Sequence, residues 1–151
     1  MDRMRNKELP HFGLSGKVIG CCIEVIRELG SGFLENVYKN ALYIAIKEKG
    51  LNVTIEQTYE IDFRGYKIGK YNADMIVEDL LIVELKCCRS LTSEHQAQLI
   101  NYLKAADKEV GLLVNFGNQK LEYKRLQHPD RFVCKEERLP FLLPFPSSEY
   151  N

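Results

Sequence analysis

From Val110 to Phe116 the chain reads Val-Gly-Leu-Leu-Val-Asn-Phe, a nearly continuous apolar run of strand length. A strand that is apolar on both faces has to be covered on both, which calls for a sheet flanked by helices. Leu80 to Lys86 is similarly rich in Leu, Ile and Val. The rest of the chain supplies the cover. From Ser15, a good N-cap residue, apolar residues recur at Val18, Ile19, Cys22, Ile23, Val25, Ile26 and Leu29, with Gly30 as the stop. A second helical segment runs from Phe33 to about Lys49, closed by Gly50, and the short glycine-bearing link predicts an αα-hairpin.

Strand signals follow over Asn52 to Phe63, with Arg64-Gly65 as a turn before Tyr66 to Ile68. A further strand is expected over Tyr71 to Val77, then a turn at Glu78-Asp79. Ser93 is the expected N-cap of a helix over Glu94 to Ala106, and Leu121 to Leu126 reads as an edge strand after Gly117-Asn118. The order predicts one α/β domain with a central mixed sheet. Its expected limits are an arm over residues 1–14, the domain over 15–127 and a Pro-rich tail over 128–151.

With 151 residues and 45% apolar composition the chain can bury a sizeable core. The 21 basic and 21 acidic side chains cancel, which excludes a disordered tail and a grip on nucleic acid by bulk positive charge. The charged first ten residues lack a signal-peptide core, and no apolar stretch approaches the roughly 20 residues that span a bilayer. Cys21-Cys22, Cys87-Cys88 and Cys134 are odd in number and form no CxxC, so reduced thiols in a cytoplasmic protein are expected. A redox or metal module built on the two vicinal pairs is the competing reading of those cysteines.

Chemistry concentrates at Asp74, Glu84 and Lys86. Glu84 and Lys86 share one face of an apolar strand, where charge is costly unless it pairs or holds a metal. Asp74 joins that face only if the hairpin is centred on residue 79, with an odd loop Glu78-Asp79-Leu80 or an equivalent bulge. A two-residue turn would put it on the wrong side. Two such carboxylates suit Mg²⁺ with waters retained, and a neighbouring lysine suits a developing phosphorane charge. Their clustering should raise at least one carboxyl pKa. The plainer alternative is a surface Glu84–Lys86 ion pair with an incidental Asp74. His95, Gln98 and Tyr102 share a face of the following helix, either aimed at substrate or simply solvated with Tyr102 half-buried. Glu35 has the placing of a first-turn glutamate favoured by the helix dipole.

Gly32-x-x-Glu35-x-x-Tyr38 resembles the signature of the GxxExxY proteins of the PD-(D/E)xK nuclease superfamily. The similarity runs from about Val18 to Arg125 and includes Tyr71-Asn72-Ala73-Asp74, Val83-Glu84-Leu85-Lys86, Ala97 to Leu103 and Gly111 to Gly117. The resemblance implies a restriction-endonuclease-like fold, with Asp74 and Glu84 as metal-binding acids and Lys86 as the catalytic lysine. The Leu85 carbonyl often completes such a site, and Glu35 matches an additional acid on the N-terminal helix of many members. Gln98 and Tyr102 are similar to the Q-x-x-x-Y motif of recombination-type exonucleases. Ala73 stands where the superfamily name has proline, a residue that binds nothing.

The expected activity is Mg²⁺-dependent phosphodiester hydrolysis (Mn²⁺ as substitute) on nucleic acid, with DNA as the expected substrate and no membrane partner. A homodimer or a partner protein would fit a small nuclease of neutral charge. The rival expectation is an accessory subunit that keeps the fold and binds nucleic acid or a partner without cutting.

Overall fold

The computed structural model describes residues 10–129 and 143–144. The helices are α1 (Phe12–Leu29), α2 (Glu35–Glu48) and α3 (Ser93–Ala106). The strands are β1 (Val53–Phe63), β2 (Tyr66–Val77), β3 (Leu81–Lys86), β4 (Val110–Asn115), β5 (Glu122–Gln127) and the two-residue β6 (Leu143–Pro144). They form a mixed sheet of order β1-β2-β3-β4-β5, with β6 parallel to the start of β2. Only β3 and β4 run parallel on the main path, joined by the α3 crossover, and β5 is the far edge. Apart from residues 128, 129, 143 and 144, the expected Pro-rich tail lies outside the described residues, as does most of the expected arm.

The two apolar runs are buried from Leu81 to Leu85 and from Val110 to Phe116, whereas Leu80 lies exposed in the hairpin loop; alternation divides the buried residues between two cores. Leu81, Val83 and Leu85 of β3, with Val110, Leu112 and Val114 of β4, pack against α1 and α2. Ile82 and Leu113 point the other way, against Leu99 and Leu103 of α3. Gly111 lets α3 come close, since a Cβ there would lie 3.0 Å from Leu99 Cδ2. Helices therefore cover both faces, as the apolar runs demand. Cys21, Cys22, Cys87 and Cys88 are free thiols, with the first two buried in the larger core; Cys134 lies outside the described residues.

Several local expectations are corrected. Helix α1 begins at Phe12, with His11 as N-cap in the left-handed region, and Ser15 is an interior residue whose hydroxyl donates to the Phe12 carbonyl at 2.9 Å. Thr92, not Ser93, caps α3: its hydroxyl accepts from His95 N while His95 Nδ1 accepts from Thr92 N. Tyr66–Ile68 and Tyr71–Val77 belong to one continuous β2. Gly69 does not break it, because it lies opposite Ile61, whose side chain covers the gap.

The α1–α2 link is held by Tyr38. This residue is fully buried, donates its hydroxyl to the Gly30 carbonyl at 2.5 Å and accepts from Phe33 N at 3.2 Å. Its ring stacks on Phe116 with centroids 4.9 Å apart. The tyrosine of Gly32-x-x-Glu35-x-x-Tyr38 thus fixes where α2 starts, and so where Glu35 stands.

Candidate active site

The hairpin joining β2 to β3 meets the geometric demand made by the sequence. Val77 pairs with Leu81, Ile76 with Ile82 and Met75 with Val83, a register centred on Asp79 with the three-residue loop Glu78-Asp79-Leu80. Glu78 and Asp79 both adopt left-handed backbone, each with φ of 55°. Their loop is tied down from outside. Asn52 N donates to Glu78 Oε1 at 2.7 Å, and Lys108 Nζ donates to the Asp79 carbonyl at 2.8 Å.

Continuing that register one pair further brings Asp74 opposite Glu84, and there the ladder opens. Leu85 N donates to Asp74 Oδ2 at 2.9 Å, and Asp74 N approaches Glu84 Oε1 at 3.3 Å. Carboxylates take the hydrogen bonds that ladder carbonyls would otherwise accept, so the strands part without orphaned amides. The opening coincides with a face switch. Tyr71 and Ala73 face α3, yet Met75 and Val77 face the helical pair, and Val53 and Tyr59 of β1 divide likewise. The β1–β2 register lacks the Glu56–Asp74 pair, and Glu56 has φ of 54°. Asp74 is therefore turned into the seam between β2 and β3.

Glu84 is 7% exposed, and its carboxyl is pushed up to about 8. Burial is the largest cause, followed by the charge of Asp74; hydrogen bonds from Tyr71 and from the Asp74 amide work in the opposite direction. The two carboxyl groups thus stand close enough for the charge of Asp74 to oppose ionisation of Glu84. Glu35, the first residue of α2, is raised by desolvation and then by Asp74, while Lys86 and Lys39 oppose the rise. It therefore stands within electrostatic range of Asp74 and Lys86. Lys86 is half-buried at the end of β3, with no carboxylate at ion-pair distance among the described residues. The alternative of a surface Glu84–Lys86 ion pair is not what the geometry gives.

The other sequence-predicted residues fare differently. Gln98 is exposed on α3, and its side chain has no hydrogen-bond partner among the described residues. His95 is occupied in the capping box of α3. Tyr102 is half-buried and stacks on Tyr71 with ring centroids 3.5 Å apart. Tyr71, to which no role falls from sequence, donates its hydroxyl to Glu84 Oε1. Asn115 was likewise silent in the sequence, although it is the lone polar residue of a doubly covered run. It is fully buried, with Oδ1 accepting from Cys88 N at 3.0 Å and Nδ2 donating to the Cys88 carbonyl at 2.9 Å and to Glu122 Oε1 at 3.1 Å. Glu122 Oε1 also accepts from Leu91 N at 2.8 Å, and these bonds lower its pKa. Together they lock the loop that leaves Lys86 for α3.

Whether a divalent ion suits the seam depends on the donors. Among the described residues no three His, Cys, Asp or Glu side chains form a ready-made cage. A Mg²⁺ site does not need one, because this ion keeps several waters and takes one or two carboxylates. The Lys86 carbonyl accepts from Phe116 N on the β4 side, so strand alternation turns the Leu85 carbonyl toward β2 and Asp74. Asp74, Glu84 and that carbonyl form an all-oxygen donor set that fits a hard cation.

The sheet carries a helical pair on one face and a crossover helix on the other, with an acidic pair at the opened β2–β3 seam and Lys86 two residues beyond Glu84 on β3, a mixed α/β fold of the kind the sequence resemblance implies. Residues 13–126 match the profile of the PD-(D/E)XK nuclease superfamily, and the chain belongs to that superfamily. The crystal structure of SSO0001 is similar at 24% identity with a TM-score of 0.48, over 62% of this chain and 50% of that one. The chain thus spans half the length of that solved chain. None of the curated proteins matches it. No helix among the described residues is long and apolar enough to cross a membrane.

Proposed function

We propose that this chain is a Mg²⁺-dependent nuclease of the GxxExxY type that hydrolyses phosphodiester bonds, with DNA as substrate and Mn²⁺ able to replace Mg²⁺. The observation that carries the reading is the Asp74–Glu84 carboxyl pair in the opened seam, with Lys86 two residues beyond Glu84 on the same strand. Asp74, Glu84 and the Leu85 carbonyl would hold the ion, with Glu35 as an additional acid at the start of α2. When bound, the ion supplies Lewis-acid stabilisation and a more acidic water. Lys86 places a positive charge beside the scissile phosphate, where negative charge grows in the transition state, and orients the attacking water. Gln98, exposed on α3, is available to substrate.

The test is single-turnover cleavage of single-stranded, duplex and branched DNA beside a binding titration, for wild type and Lys86→Ala. Loss of a preorganised electrostatic group costs about 10²–10³ in rate. Lys86→Ala should therefore lose cleavage by about that factor while binding changes little; equal cleavage by both proteins refutes the assignment. The equal numbers of basic and acidic side chains favour a second reading, a non-cleaving subunit whose affinity comes from a partner. That reading predicts no cleavage of any substrate by the wild type.

A further inference from the structure

We propose that Tyr71 and Tyr102 are positioning residues for the ion-binding carboxylate of Glu84, Tyr102 acting through the Tyr71 ring and not on substrate. The inference rests on the metal reading of Asp74 and Glu84 and assigns each carboxylate oxygen a separate task. Glu84 Oε1 accepts from the Tyr71 hydroxyl and from Asp74 N, whereas Oε2 has no donor among the described residues. Asp74 Oδ2 is taken by Leu85 N, which leaves Oδ1. One oxygen of each acid is thus anchored by the protein, and the other is free for a cation.

The anchor on Glu84 is only as rigid as the Tyr71 ring. Tyr71 is 4% exposed, and its ring lies nearly parallel to that of Tyr102, 10° apart in plane with centroids separated by 3.5 Å. Tyr59 on the neighbouring strand adds a ring 6.1 Å away. Helix α3, anchored by its Leu99 and Leu103, carries Tyr102 onto this ring. The phenol hydroxyl of Tyr102 makes no hydrogen bond among the described residues, so its contribution here is the ring face. Groups that orient metal ligands from behind typically change metal affinity by about 10–100-fold when removed.

The experiment follows free Mn²⁺ by electron paramagnetic resonance during titration of wild type, Asp74→Asn, Tyr71→Phe, Tyr102→Phe and Tyr102→Leu. Melting in EDTA and oligonucleotide binding in EDTA are recorded for the same proteins. Tyr71→Phe keeps the stacked ring and loses the donor, and should bind Mn²⁺ about 10-fold or more weakly. Tyr102→Phe keeps the stack and should match wild type, whereas Tyr102→Leu should weaken Mn²⁺ binding without weakening oligonucleotide binding. Wild-type Mn²⁺ affinity in Tyr71→Phe or Tyr102→Leu overturns the inference while leaving the metal site standing. The same holds for a Tyr102→Leu defect confined to oligonucleotide binding. Absence of Mn²⁺ uptake by the wild type, or equal uptake by Asp74→Asn, overturns the metal reading and this inference with it.

Discussion

The substitution Glu84→Gln should invert the order of stability between wild type and variant as pH rises in the absence of metal. The Glu84 carboxyl is raised from 4.5 to about 8 in the folded protein. The folded state therefore holds a proton that the unfolded chain has released throughout that window. Stability attributable to this group is complete below the unfolded value and is lost as pH climbs through the folded one. One proton of difference gives a slope of about −1.4 kcal/mol per pH unit, so roughly 3 kcal/mol is lost between about pH 5 and 7.5. The introduced glutamine does not titrate, yet its carbonyl oxygen can still accept from the Tyr71 hydroxyl and Asp74 N, and its amide can donate to Asp74. The assay is urea unfolding in EDTA at several values from about pH 5 to 8.5, comparing the free-energy difference between the two proteins. The variant should be equal to or less stable than wild type at the acid end and more stable at the alkaline end. Adding Mg²⁺ should recover the wild type preferentially, since the ion binds the native carboxylates and not the unfolded chain. A difference between the two proteins that stays constant across the range refutes the buried, raised carboxyl of Glu84.

Tyr38→Phe leaves the Gly30 carbonyl and Phe33 N without their shared partner, and should cost about 1–3 kcal/mol in denaturant unfolding with ring packing retained. Gly117→Ala should destabilise by about 1–3 kcal/mol, because its Cβ would fall 2.2 Å from the Cys88 carbonyl oxygen, which belongs to backbone that Asn115 holds in place. Its urea midpoint reports the cost, and an unchanged midpoint would show the loop after Lys86 to be looser than its hydrogen bonds imply.

How far the site was legible in the sequence depended on how far each piece was local. The apolar run at Val110–Phe116 announced a strand covered twice and Leu80–Lys86 a second apolar strand, and the hairpin centre at residue 79 followed from requiring Asp74 and Glu84 to meet. Strict alternation could not foresee the means. It assumes that a strand keeps its faces, whereas β1 and β2 exchange theirs together at Glu56 and Asp74. That exchange depends on the left-handed Glu56, a residue whose type does not advertise it. The caps failed for a related reason. Thr92 and Ser93 have similar intrinsic merit as N-caps, and His95, three residues after Thr92, decides between them by closing the reciprocal pair.

Tyr102 marks the boundary between what a helical period can and cannot say. Spacing put it on one face with His95 and Gln98, and the three then separate: one closes a cap, one faces solvent and one meets an aromatic ring. The ring it meets belongs to Tyr71, 31 residues earlier, whose own buried position looks from sequence like ordinary strand core. A buried tyrosine usually finds a partner for its hydroxyl, although Tyr59 beside it does not, and the only buried acid among the described residues stands within reach of Tyr71 on the adjoining strand. The polar end of an apolar core residue thus became the support of the candidate site. The signal available beforehand was that a buried tyrosine and a buried glutamate on adjacent strands each needed the other.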